Sequence, residues 1–241
     1  MPVSTRRYSE LRLAISDYLQ QGNWQRLLEV CGTSDDEASR TIAVIFTLYD
    51  PRNVWKFLDY VSELSTEERR QKRDSIATCC YTLGKMGQSD IKKTIILLKR
   101  FLLEDRFLKD PVIAALSNMW VLDRKNTSSI LYDSWILGND QSEDLQEASL
   151  RSVEYLTKES PNLSIDFLEK VDSLGDERKM ASGIAQELIS KYASPKRTPS
   201  EVDQQIMSSS LKQKKNQTSR KQEENKHKKK DKKKKKKGKR D

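Results

Sequence analysis

Few residues in this 241-residue chain are equipped for chemistry. The only histidine, His227, lies in a lysine-rich C-terminal segment. Residues 1–193 therefore hold no imidazole for base catalysis, for a metal site, or for a Ser-His-Asp or Cys-His pair. The cysteines are Cys31, Cys79 and Cys80. Cys79 and Cys80 are adjacent and poorly placed to pair with each other, and the spacing supports no zinc site. Their odd, sparse count points to a reducing, intracellular compartment, with buried apolar thiols as their plainest role. None of the eight glycines falls into GxxxxGK[ST] or GxGxxG, so no phosphate-cradling loop is read. Carboxylates are plentiful, but on amphipathic helices they read as a solvated face. The expectation is a non-catalytic protein with no cofactor and no metal.

Charge is the strongest functional signal. Residues 194–241 carry 19 Lys/Arg against 6 Asp/Glu, whereas residues 1–193 carry 26 against 30. A mildly acidic body is thus joined to a strongly basic tail. The tail's cations concentrate at Lys228, Lys229, Lys230, Lys232, Lys233, Lys234, Lys235, Lys236, Lys237, Lys239 and Arg240. Such runs gain affinity for RNA or DNA by counterion release without reading sequence. The competing reading is a solubilising tail or, in a eukaryote, a nuclear-targeting one. From Lys212 onward no apolar side chain remains, so the tail is expected to be disordered, with a marginal helix over 201–211. Ser194-Pro195-Lys196-Arg197-Thr198-Pro199 marks the boundary between domains 1–193 and 194–241. Met1–Arg7 leads into a charged amphipathic segment rather than an apolar signal core. The apolar run Pro111–Leu122 is too short to span a bilayer. Membrane insertion is not expected, and a cytoplasmic location is, with the nucleus open to a eukaryotic chain.

The elements that must carry these features are helical. Eight glycines, six prolines and 34% charged residues, with almost no alternating pattern, favour an all-α body. The clearest stretch is Asp110–Trp135. Asp110 and Pro111 suit N-cap and N1, and Val112, Ile113, Leu116, Met119 and Trp120 form one apolar face. Asn126 then opens a second helix through Ile130, Leu131 and Trp135. Weaker copies occupy Thr41–Val61, Ser75–Leu102 and Ser152–Val171. Their second helices open near Asn53, Asp90, Asn126 and Asn162, at spacings of 37, 36 and 36 residues. Residues 5–21 and 24–31 read as a capping pair, and 176–192 as a closing helix. Ser34–Glu37 and Ser65–Glu68 fit capping boxes. The charged turns Glu67–Asp74 are expected to project into solvent, and Gly84 and Gly87 to end the helix begun there.

A near-constant period built of helix pairs is the mark of an α-solenoid; the competing pattern is an irregular helical bundle. Over about residues 34–173 the chain resembles the HEAT and armadillo-like family. Ile42-Ala43, Ile76-Ala77 and Ile113-Ala114 stand in the first helices, and Val54, Ile91, Ile130 and Ile165 in the second. The resemblance implies a HEAT-like α-solenoid of antiparallel helix pairs that holds a protein partner on its concave face. Second helices usually line that face, so Lys92, Lys93, Lys99 and Arg100, beside Arg52 and Lys56, would make part of it basic. Some HEAT-like solenoids are DNA glycosylases acting on alkylated bases through tryptophans, an aspartate and an arginine. Trp120, Asp123, Trp135 and Arg151 are the residues here that such a role would use, although no motif joins them and both tryptophans sit in the apolar pattern.

Overall fold

The computed structural model describes residues 5–139 and 142–192. Within them the chain forms twelve α-helices, with a short 3-10 or π turn at five of the junctions, and no strand. The lysine-rich tail, with Lys228 to Arg240, His227 and the helix expected over 201–211, lies outside the described residues.

Local chemistry sets most helix ends. The helix α1 (Thr5–Gln21) stops at Gly22, whose φ of 66° is left-handed and suits glycine. Asn23 Oδ1 then accepts from Arg26 N and starts α2 (Trp24–Cys31). For α3 (Asp36–Phe46) the cap is Asp35 rather than Ser34, its carboxylate accepting from the amides of Glu37 and Ala38. Asp50 and Pro51 open α4 (Pro51–Glu63) as read from sequence. Both bonds of the Ser65–Glu68 capping box form on α5 (Thr66–Gln71). The chain breaks at Lys72 and resumes as α6 (Arg73–Met86), and Asp90 caps α7 (Ile91–Glu104).

The clearest sequence copy differs in detail. α8 (Lys109–Leu122) begins one residue before Asp110, which occupies its first turn and complements the helix dipole there. Asp123, not Asn126, caps α9 (Arg124–Leu131), because its carboxylate reaches the Asn126 amide at 3.2 Å and the Asn126 side chain at 2.8 Å. Trp135 and Ile136 then lie in a π turn, Tyr132–Ile136. α10 (Glu143–Glu159), α11 (Ile165–Asp172) and α12 (Lys179–Tyr192) complete the fold, with Pro161 in a 3-10 turn before α11.

Packing follows chain order. α3 lies against α6, α6 against α8, α8 against α10, and α10 against α12; α7 contacts α6, α8 and α9, and α11 packs on α12. One continuous apolar core runs from Ile15 to Leu188. Each fully buried Leu, Ile or Phe in it contributes about 1.5–3 kcal/mol. Polar side chains then join one part of the chain to the next at a recurring interval. Tyr49 Oη donates to Arg12 O at 2.6 Å, Trp55 Nε1 to Ser89 Oγ at 2.8 Å, Trp120 Nε1 to Ser152 Oγ at 2.9 Å, and Tyr192 Oη to Glu154 Oε1 at 2.8 Å. These partners are 37, 34, 32 and 38 residues apart, close to the spacing of the second-helix starts.

The tightest approach joins α6 to α8. Gly84 does not end α6; it lies inside it, where a Cβ would sit 2.5 Å from Ala115 Cα and 2.8 Å from Ala115 O. Glycine is required there for closeness rather than for a turn. Gly183 in α12 is the opposite case, since a Cβ added there would meet nothing within 4 Å. Gly84→Ala is therefore expected to cost about 1–3 kcal/mol through overpacking, while Gly183→Ala gains about 0.5–1 kcal/mol through helix propensity. Urea unfolding midpoints of the two variants measure both signs.

Candidate interaction surface

The four cations expected to line a basic face stand on α7, and three of them are engaged. Lys93 Nζ lies 2.6 Å from Asp59 Oδ1 and 4.6 Å from the centre of the Trp55 ring. Lys99 Nζ donates to Ser134 O at 3.3 Å. Arg100 donates from Nε to Glu104 Oε1 at 3.0 Å and from Nη1 to Ser62 O at 2.8 Å. Lys92 is exposed. Lys99 thus reaches forward to the turn after α9, and Arg100 back to the last turn of α4.

A second cationic cluster sits where sequence reading placed solvent. Arg69, in the charged stretch Glu67–Asp74, is buried, with 3% of its side chain exposed. The capping box fixes the first turn of α5, so Arg69 one residue later points inward. Its Nε and Nη2 each lie 2.7 Å from a different oxygen of Glu104 at the end of α7, a bidentate pair. Its Nη1 donates to Ser62 O at 3.0 Å and to Leu64 O. Arg70 donates from Nε and Nη2 to Glu104 O at 3.0 and 2.8 Å. Arg73 Nε lies 2.8 Å from Asp105 Oδ2, and its guanidinium is 4.3 Å from the centre of the Phe107 ring. Arg69 and Arg70 satisfy carbonyls that the ends of α4 and α7 leave without helical partners. The cavity beside them, lined by Thr66, Arg69, Phe101 and Glu104, is only ≈ 10 Å³. The available sequence signal was the period itself: Arg69 and Glu104 are 35 residues apart, and Arg73 and Asp105 are 32.

The residues a glycosylase-like role would use are each engaged in the fold. Trp120 and Trp135 are both sealed in the core, at 1% and 0% exposure. The Trp120 ring meets Phe167 edge-on at 4.9 Å, and Trp135 Nε1 finds no acceptor among the described residues. Asp123 caps α9, and its bonds to the Asn126 side chain and amide hold its carboxyl below the ordinary range. Arg151 lies 3.2 Å from Glu187 and 3.7 Å from Glu154. Cys31, Cys79 and Cys80 are all buried; burial pushes the Cys31 and Cys80 thiols well up, away from the reactive thiolate. Among the described residues, no group of three His, Cys, Asp or Glu side chains is placed to share a metal ion, and no helix is long and apolar enough to cross a membrane.

Comparison with protein-family models, with curated proteins and with solved structures finds no match.

The arginine cluster makes stability depend on pH. Partial burial pushes the Glu104 carboxyl up, but hydrogen bonds and charge from Arg69 and Arg100 outweigh it, so Glu104 titrates below the ordinary range. A carboxyl depressed in the folded state contributes stability above its unfolded pKa, about 4.3, and loses it as pH falls through the folded value. The urea midpoint is expected to drop between about pH 5 and pH 3, and Glu104→Gln is expected to flatten that drop while lowering the midpoint at neutral pH.

Proposed function

We propose that this protein is a non-catalytic scaffold, a HEAT-like α-solenoid that holds a protein partner while its lysine-rich tail adds nonspecific affinity for RNA or DNA. The observation that carries this reading is the recurring interval of the polar cross-links, from Tyr49–Arg12 to Tyr192–Glu154. Helices that bond to the counterpart one unit away give an extended frame with long surfaces, which suits holding a partner. The groups most suited to chemistry are already occupied with structure: Trp120 in the core, Asp123 at a cap, and Arg151 in ion pairs. The tail's excess of 19 cations over 6 carboxylates supplies the polyanion contact, and tethering raises the local concentration of whatever the tail meets.

The test is RNA and DNA binding against salt. The full chain is expected to bind with an affinity that falls about 10³–10⁵-fold between 50 and 200 mM salt, the behaviour of some 6–10 phosphate contacts. Replacing Lys232–Lys237 by glutamine should weaken binding for every sequence alike and flatten the slope. Unchanged binding and slope in that variant would remove the tail from the account.

A further inference from the structure

Phe107, in the 3-10 turn Arg106–Leu108, is 65% exposed, and Leu103, in the last turn of α7, is 48% exposed. Both are apolar side chains left on the surface where α7 ends. Cations flank the Phe107 ring. The Arg73 guanidinium lies 4.3 Å from the Phe107 ring centre and that of Arg106 5.8 Å. Arg70 is held against Glu104 O by two of its nitrogens, which fixes its orientation and leaves Nη1 without an acceptor among the described residues. Arg106 is exposed and makes no ion pair among the described residues. Over residues 69–74 and 100–107 six cationic side chains stand against three carboxylates. Arg69 and Arg100 pair with Glu104, and Arg73 with Asp105. That leaves Arg70 and Arg106 as arginines with no ion pair among the described residues, on a body whose residues 1–193 hold more acidic than basic groups.

We propose that Arg70, Arg73 and Arg106 with Leu103 and Phe107 form the docking site for an acidic peptide segment that carries an apolar anchor residue. This rests on the scaffold reading and names its partner by chemistry. Guanidinium groups recognise carboxylates through paired hydrogen bonds, and those already fixed by a carbonyl or a ring lose little freedom on binding. The exposed Phe107 ring supplies what charge alone does not, an apolar contact for a leucine or phenylalanine side chain from the partner. One exposed aromatic ring fits that anchor better than a run of bases, which needs successive stacking platforms.

The experiment uses the full chain and two labelled peptides of equal negative charge, read by fluorescence anisotropy. One is a run of Asp and Glu interrupted by Leu and Phe three residues apart; the other has serine at those two places. The anchored peptide is expected to bind about 10-fold tighter. Phe107→Ala and Arg106→Glu should each erase that advantage, and Tyr155→Ala, an exposed position on α10, should keep it. Both variants replace exposed side chains, and helical circular dichroism checks that they fold. Equal binding of the two peptides, or an advantage that survives both substitutions, overturns the site. So does loss of single-stranded oligonucleotide binding in Phe107→Ala with peptide binding intact, which would make this a nucleic-acid surface. Salt-dependent binding of the serine peptide reports the tail separately, so failure here is distinguishable from failure of the scaffold reading.

Discussion

A buried guanidinium cannot be left without partners, and Arg69 shows what that demands. Removing an arginine from water costs several kcal/mol unless its donors find acceptors in good geometry. Here they do: Glu104 takes Nε and Nη2, while Ser62 O and Leu64 O take Nη1. Those acceptors come from the end of α4, the link into α5, and the end of α7. One side chain therefore fixes three parts of the chain at once. The capping box at Ser65, the bonds of Arg70 to Glu104 O and the ion pair of Arg73 with Asp105 extend the same joint.

The same chemistry recurs along the fold. Short helices end often, and each end leaves carbonyls with no helical partner. Cations answer them: Arg100 at Ser62 O, Lys99 at Ser134 O, Arg178 at Ile136 O and Arg124 at Leu163 O. A positive side chain at a helix C-terminus also complements the dipole there. Much of the positive charge on the body thus ties one helix end to another. Arg106 is left outside these joints, exposed and with no ion pair among the described residues.

Sequence reading recovered the features whose cause is local. Pro51 after Asp50, the Ser65–Glu68 box and Asp90 are decided by a few neighbouring residues, and the structure forms all three. It recovered the core as well, because Val112, Leu116, Met119 and Trp120 repeat at helical spacing and are buried. It misread residues whose role is set by distant partners. Gly84 resembles a helix stop until Ala115 is seen against it, and Arg69 resembles a solvated charge until Glu104 is. The candidate surface fell in the same gap: Phe107 and Arg106 carry no periodic signal, and their setting depends on Arg73 from another helix. The period of about 36 residues, read only from helix starts, held the missing information, since Arg69 and Glu104 are 35 residues apart.

The most direct measurement is a double-mutant cycle on that pair, using Arg69→Met, Glu104→Leu and the double variant in urea unfolding at neutral pH. If the pair joins the units, each single substitution strands a partly buried charge and costs about 3–5 kcal/mol, and the apolar double variant loses much less than the sum, a coupling above about 2 kcal/mol. Single losses that add to within about 0.5 kcal/mol would contradict it; the units would then be held by apolar packing alone.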